Sequence, residues 1–173
     1  SDDFGQYLMH AQALADGRPY GDIDYIYSKY ARFIGPRLAP PGLPITLAPL
    51  IAVFGANMFA LKALMLIFGM AFVALAGLYF ARIVDWKLGA GVALLCALSP
   101  DMVHGASQIL TDIPFAALIW LLIYIVDRPG DFTLRRILAI TLIGAYVVSF
   151  RSTGVALGPA VLLYAVLHYR QLG

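Results

Sequence analysis

The sequence predicts an all-α integral membrane protein: a polytopic helical bundle with a helical, juxtamembrane first extracytoplasmic loop ahead of its long span. Three observations carry this. Apolar residues make up 61% of the 173, charged residues only 13%, and the mean hydropathy is +0.82, whereas an ordinary soluble domain holds roughly 45–50% apolar and about 25% charged residues. A chain this short cannot bury so much apolar side chain in a core of its own, and disorder needs the opposite composition. The apolar residues are also gathered into six segments with short polar connections, and most of the remaining polar chain lies in the first 41 residues.

The elements follow in order. Asp2 to Asp16 reads as an amphipathic helix, with Phe4, Leu8, Ala11 and Ala15 on one stripe and Asp3, Tyr7 and His10 on another. Gly17 and Pro19 stop it. Residues 18–41 mix Arg18, Lys29, Arg32 and Arg37 with Tyr20, Tyr25, Tyr27, Tyr30 and Phe33, a composition suited to a membrane–water interface. After the Pro40-Pro41-Gly42 break come apolar segments at Leu43–Phe54, Phe59–Ile83, Leu88–Ser99, Ile113–Val126, Ile137–Phe150 and Val155–Tyr169. A straight span needs about 20 residues, so only Phe59–Ile83 is comfortably long. The short ones must extend into polar flanks, thin the bilayer, or end at a protein-lined cavity.

Charge orients the bundle. The connections carrying Arg82, Lys87, Arg128, Arg135, Arg136 and Arg170 hold six basic residues, against one, Arg151, in the opposite short connections 100–111 and 151–154. The positive-inside rule places the first set in the cytoplasm. Asp2, Asp3, His104, Asp112 and Arg151 then share the other side, and Leu43–Phe54 is an interfacial or re-entrant helix. The division is a loop over residues 1–57 and a bundle of about five spans over 58–173. With Ser1 in place of Met and an apolar segment running almost to Gly173, the sequence reads as an internal piece of a longer chain.

Each candidate for chemistry has a plain structural alternative. Asp2-Asp3 would complement a helix dipole, or serve as a general base at the membrane surface, one carboxylate raised by the other. Asp112 follows Thr111, a good N-cap, and precedes Pro114. Yet an acid bordering a lipid-facing segment marks a functional site by default. Arg151, in Phe150-Arg151-Ser152-Thr153-Gly154, would snorkel to headgroups or grip a phosphate with its fork. His104 reads as a satisfied interfacial histidine, and Lys62 as a snorkelling one. Cys96, the single cysteine, supports neither a disulfide nor a thiolate metal site. No HExxH, P-loop or GxSxG is present, and a net charge of +2 without a dense basic run excludes nucleic acid.

Six motifs in order resemble one family. They are Asp2-Asp3-Phe4-Gly5-Gln6-Tyr7-Leu8 with Gly17-Arg18-Pro19-Tyr20; Pro40-Pro41-Gly42-Leu43-Pro44; Ala60-Leu61-Lys62; Ala97-Leu98-Ser99-Pro100; Leu110-Thr111-Asp112-Ile113-Pro114; and Phe150-Arg151-Ser152-Thr153-Gly154. This series resembles the N-terminal part of the GT-C glycosyltransferases, in the branch of the protein O-mannosyltransferases and lipid A aminoarabinose transferases. The resemblance covers nearly the whole chain. It implies transfer of a sugar from a polyprenyl-phosphate carrier to a protein, lipid or glycan acceptor, on the periplasmic or extracellular face of a bacterial inner membrane. By position it makes Asp3 or Asp2 the catalytic carboxylate, Asp112 a second acid near the site, and Arg151 the partner of the carrier phosphate. Tyr7 and His104 join the candidate substrate contacts. Some relatives have Glu-Lys before the Pro-Pro pair where this chain has Leu38-Ala39; Arg37 would supply the missing charge, and a divalent metal is left open. The competing class is a transporter or channel subunit, or a non-catalytic assembly protein, using Asp112 and Arg151 as pathway or structural residues.

Overall fold

The computed structural model describes residues 2–23, 39–130 and 133–169, and the side chains of these except 2, 3 and 165–169. The described residues contain helices and no strand: α1 (Asp2–Ala15), α2 (Gly42–Phe54), α3 (Met58–Ile83), α4 (Trp86–Leu98), α5 (Pro100–Ala106), α6 (Asp112–Val126), α7 (Leu134–Phe150), a 3-10 turn (Ser152–Ala156) and α8 (Leu157–Tyr169). Local chemistry sets many of the ends. Asn57 Oδ1 accepts the Phe59 and Ala60 amides at 2.9 and 3.4 Å, and Asp85 Oδ1 accepts that of Leu88 at 2.8 Å. Thr133 Oγ1 takes the Arg136 amide at 3.3 Å, which starts α7 three residues before its apolar run. Gly55, at φ 65°, ends α2 by turning its N–H back to the Ile51 carbonyl.

One connection differs from expectation. Residues 100–111, read from sequence as a loop, contain α5, which leaves α4 at a bend of 63°. Pro100 forces Ser99 into extended backbone (φ −64°, ψ 123°), and the helix then resumes with Pro100 as its first residue. Thr111 also departs from its reading. It sits at the N-cap position of α6 but in helical backbone (φ −75°, ψ −17°), and its side chain caps nothing. Of the described helices, only α3 is long and apolar enough to cross a membrane alone, and the bent pair α4–α5 passes if taken together.

Packing fixes the directions of the helices. Cβ atoms at Gly77 and Gly89 would lie 2.9 Å from Ala93 and 2.5 Å from Ala81, so α3 and α4 cross antiparallel with backbones nearly in contact. The α3–α6 seam pairs Gly69 with Ile113, Phe72 and Tyr79 with Trp120, and Arg82 with Tyr124, which makes these two parallel. α7 is antiparallel to α6, because Arg136 meets its last turn and Arg151 its first. Tyr164 of α8 reaches Asp127 at 3.1 Å.

The bundle thus has two poles of unequal height. α6 begins level with Gly69, eleven residues into α3, so the start of α3 stands about 17 Å above it at about 1.5 Å per residue. The space beside that projection is filled by α2. Leu43, Leu47 and Ile51 pack with Leu61 and Met65 of α3, Ile109, and Phe150 of α7. α1 lies on α2 through Ala11, with Phe4, Tyr7, Leu8 and Ala15 against the same cluster. The expected apolar stripe of α1 is therefore the face that packs.

Candidate functional site

The site forms where the starts of α2 and α6 meet the end of α7. α2 comes close because residue 42 is glycine: a Cβ there would stand 2.5 Å from Phe150 Cδ2 and 2.8 Å from the Phe150 amide nitrogen. Thr46 donates to the Gly42 carbonyl at 2.6 Å and shares a short hydrogen bond with Tyr146 of α7. Phe150 is fully buried, stacked edge-on with Tyr146 at 5.1 Å, and anchors the next residue, Arg151.

Arg151 turns out of α7 in extended backbone (φ −150°, ψ 141°). Its Nη1 donates to Asp112 Oδ1, and its guanidinium lies 6.0 Å from the Phe115 ring centre. The pair is not a buried clamp: the side chains are 42% and 60% exposed. An ion pair that open contributes little to stability. Its remaining N–H donors have no partner among the described residues. Asp112 opens α6, where the helix dipole favours its negative charge. Chemically, this is an oriented, partly committed cation with donors left for an oxyanion.

The other sequence candidates fall elsewhere. His104 is on α5, exposed, accepting from Gln108 Nε2 at 2.6 Å, and it makes no contact with the Asp112–Arg151 pair. Tyr7 is half-buried against the cluster beneath α1. Asp2 and Asp3 begin α1, but their side chains lie outside the described residues, as does Arg37 altogether. Among the described residues no three His, Cys, Asp or Glu side chains gather in a metal-binding group.

One arrangement was not legible beforehand. His10, placed by periodicity on a polar stripe, is fully buried. Its ring stacks on Tyr20 at 4.3 Å, Nδ1 donates to the Tyr20 carbonyl at 2.7 Å, and Nε2 accepts the Ala39 amide at 3.4 Å. Tyr20 Oη in turn donates to the Ala39 carbonyl at 2.6 Å. Burial, aided by neighbouring Tyr7, pushes the Tyr20 hydroxyl up to about 12. This clasp ties both ends of the segment between α1 and α2 to α1. The one available signal was the Gly17-Arg18-Pro19 turn, which sends the chain back toward His10.

No protein-family model matches this chain, and neither a curated protein nor a solved structure is significantly similar to it.

Proposed function

We propose that this chain is part of a polytopic membrane glycosyltransferase, moving a sugar from a polyprenyl-phosphate donor to an acceptor on the non-cytoplasmic face. The observation that carries the reading is the meeting of Asp112 and Arg151, 39 positions apart, at the pole opposite the basic loops. Two charges that the topology assigns to one side are in contact, with guanidinium donors to spare. In the reaction, a carboxylate takes the proton of the acceptor hydroxyl, whose oxygen attacks the anomeric carbon. The bond from that carbon to the carrier phosphate breaks, and its electron pair stays on the phosphate. Arg151 supplies the charge that stabilises this leaving group, and Asp112 holds the fork in position. Asp3, with Asp2 beside it at the start of α1, is the proposed base.

The test is Asp3→Asn in the full-length enzyme. Loss of a general base lowers transfer by roughly 10²–10⁴-fold, while Asp2→Asn loses less and both fold normally. Near-wild-type transfer by both variants would remove the pair from the chemistry. The orientation is tested separately. A cysteine at Ser107 or Ser152 should react with an impermeant thiol reagent outside intact cells, and one at Thr133 should not.

A further inference from the structure

A groove of about 740 Å³ runs along α3, closed on its other side by the end of α4 and by α5. It extends from Phe59 to Ala74 of α3, about 22 Å at about 1.5 Å per residue. Its floor is made by small side chains, among them Gly69 and Ala106, whose Cβ would come within 3.1 Å of a Cβ at Gly69. Its walls are flexible and apolar, with Leu66 and Met70 more than half exposed (54% and 56%). The bend at Ser99-Pro100 creates it, by swinging α5 away from the line of α4. Among the described residues one charged side chain lines it. Lys62, in the first two turns of α3 and exposed, has no ion pair or hydrogen bond among the described residues.

We propose that this groove binds the acyl chain of an anionic phospholipid of the outer leaflet, with the Lys62 ammonium on its phosphate. Three features single out this occupant. A transmembrane helix laid in the groove would cover Lys62 with apolar side chains and desolvate an unpaired ammonium, which is costly. A lipid phosphate neutralises it where it stands. The groove is parallel to α3 and exceeds one leaflet, about 15 Å of a hydrocarbon core near 30 Å, by roughly the reach to the headgroups. It ends at Ala74, so it suits a chain that stops within the leaflet rather than a long prenyl carrier. The proposal rests on α3 crossing a bilayer and is independent of sugar transfer: Lys62 lies on the α4–α5 side of α3, away from Arg151.

The experiment uses the full-length protein in lipid nanodiscs doped with phosphatidylglycerol or phosphatidylcholine carrying a photoreactive group on one acyl chain. Crosslinks should map to Leu66, Met70 and Cys96, with phosphatidylglycerol favoured about fivefold, the effect of one lysine on an anionic lipid. Lys62→Gln should abolish that preference without lowering the phosphatidylcholine signal. Ala97→Trp, at an exposed position of the groove wall, should lower both. Equal labelling by the two lipids, or a preference unchanged in Lys62→Gln, would overturn the assignment. So would an absence of crosslinks in the groove, the result expected if another helix covers it, or displacement of the label by a prenyl phosphate but not by unlabelled phosphatidylglycerol.

Discussion

The arginines at the two poles of the bundle are used in opposite ways. At the pole of the basic loops, Arg136 donates from Nε to the Ile125 carbonyl at 3.1 Å, from Nη1 to Gly130 at 2.7 Å, and from Nη2 to Val126 and Arg128 at 2.8 and 2.5 Å. It satisfies the carbonyls that α6 leaves open at its last turn. Arg82 beside it holds the Tyr124 carbonyl at 3.1 Å and the Asp127 carboxylate at 3.5 Å, and lies over the Tyr124 ring at 4.5 Å. Asp127 also accepts from Tyr164. Arg151, at the other pole, has a single carboxylate partner among the described residues and stands 42% exposed. A guanidinium whose donors are nearly all engaged can only hold structure. One with donors unengaged has capacity for a ligand, and that contrast separates a structural arginine from a candidate site without any appeal to motif.

The contrast can be broken by substituting each pole in turn. Arg136→Ala should have the largest effect on the fold, destabilising by roughly 3 kcal/mol as several carbonyls lose a charged donor together. Arg136→Lys should recover less than half of this, because an ammonium cannot reproduce the planar fork. Thermal unfolding in detergent measures both, and the fraction that remains folded should transfer sugar normally. At the other pole the prediction reverses. Arg151→Lys should unfold like wild type yet lose about tenfold in kcat/KM for the lipid-linked sugar, the cost of one charge-assisted bond. Arg151→Ala should lose more. Equal activity of Lys and Arg across a donor titration would make Arg151 a snorkelling residue and erase the distinction between the poles.

The smallest effect concerns the clasp on α1. Tyr20→Phe removes the hydrogen bond to Ala39 and should cost about 1 kcal/mol at neutral pH, read as faster amide exchange at Ala39. Burial of the same hydroxyl gives a pH dependence of known sign. The hydroxyl is held at about 12 in the fold against about 10 in the unfolded chain, so the folded state binds more protons between those values. Its contribution is complete below pH about 10 and declines as the pH rises toward 12. Wild type should therefore lose Tm more steeply across that window than Tyr20→Phe. Parallel curves would mean that Tyr20 ionises freely and that the clasp is loose.

How much of this was legible in the sequence depends on the range of the interaction. Helical segments followed from apolar run length, and some ends followed from single residues: Gly17 and Pro19 as the stop of the first helix, which ends at Ala15, and Pro40-Pro41-Gly42 as the break from which α2 starts. These effects act within one turn of chain, so residue identity is enough to determine them. Even there the tertiary structure overrode one. Thr111, a suitable cap by type, is held buried in helical backbone and caps nothing, because a capping side chain works from non-helical, typically extended, backbone. The placement of α2 over the shorter α6 and α7, the pairing of Asp112 with Arg151, and the burial of His10 under Tyr20 were decided only by the fold. Each depends on how segments 10 to 100 positions apart in the chain are rotated and placed against one another. A shift of one residue along a helix turns a side chain by about 100°. A helix's own apolar pattern therefore cannot say which neighbour's charge it will face, and only the simultaneous packing of contacts such as Gly42 on Phe150 and Gly89 on Ala81 selects the answer.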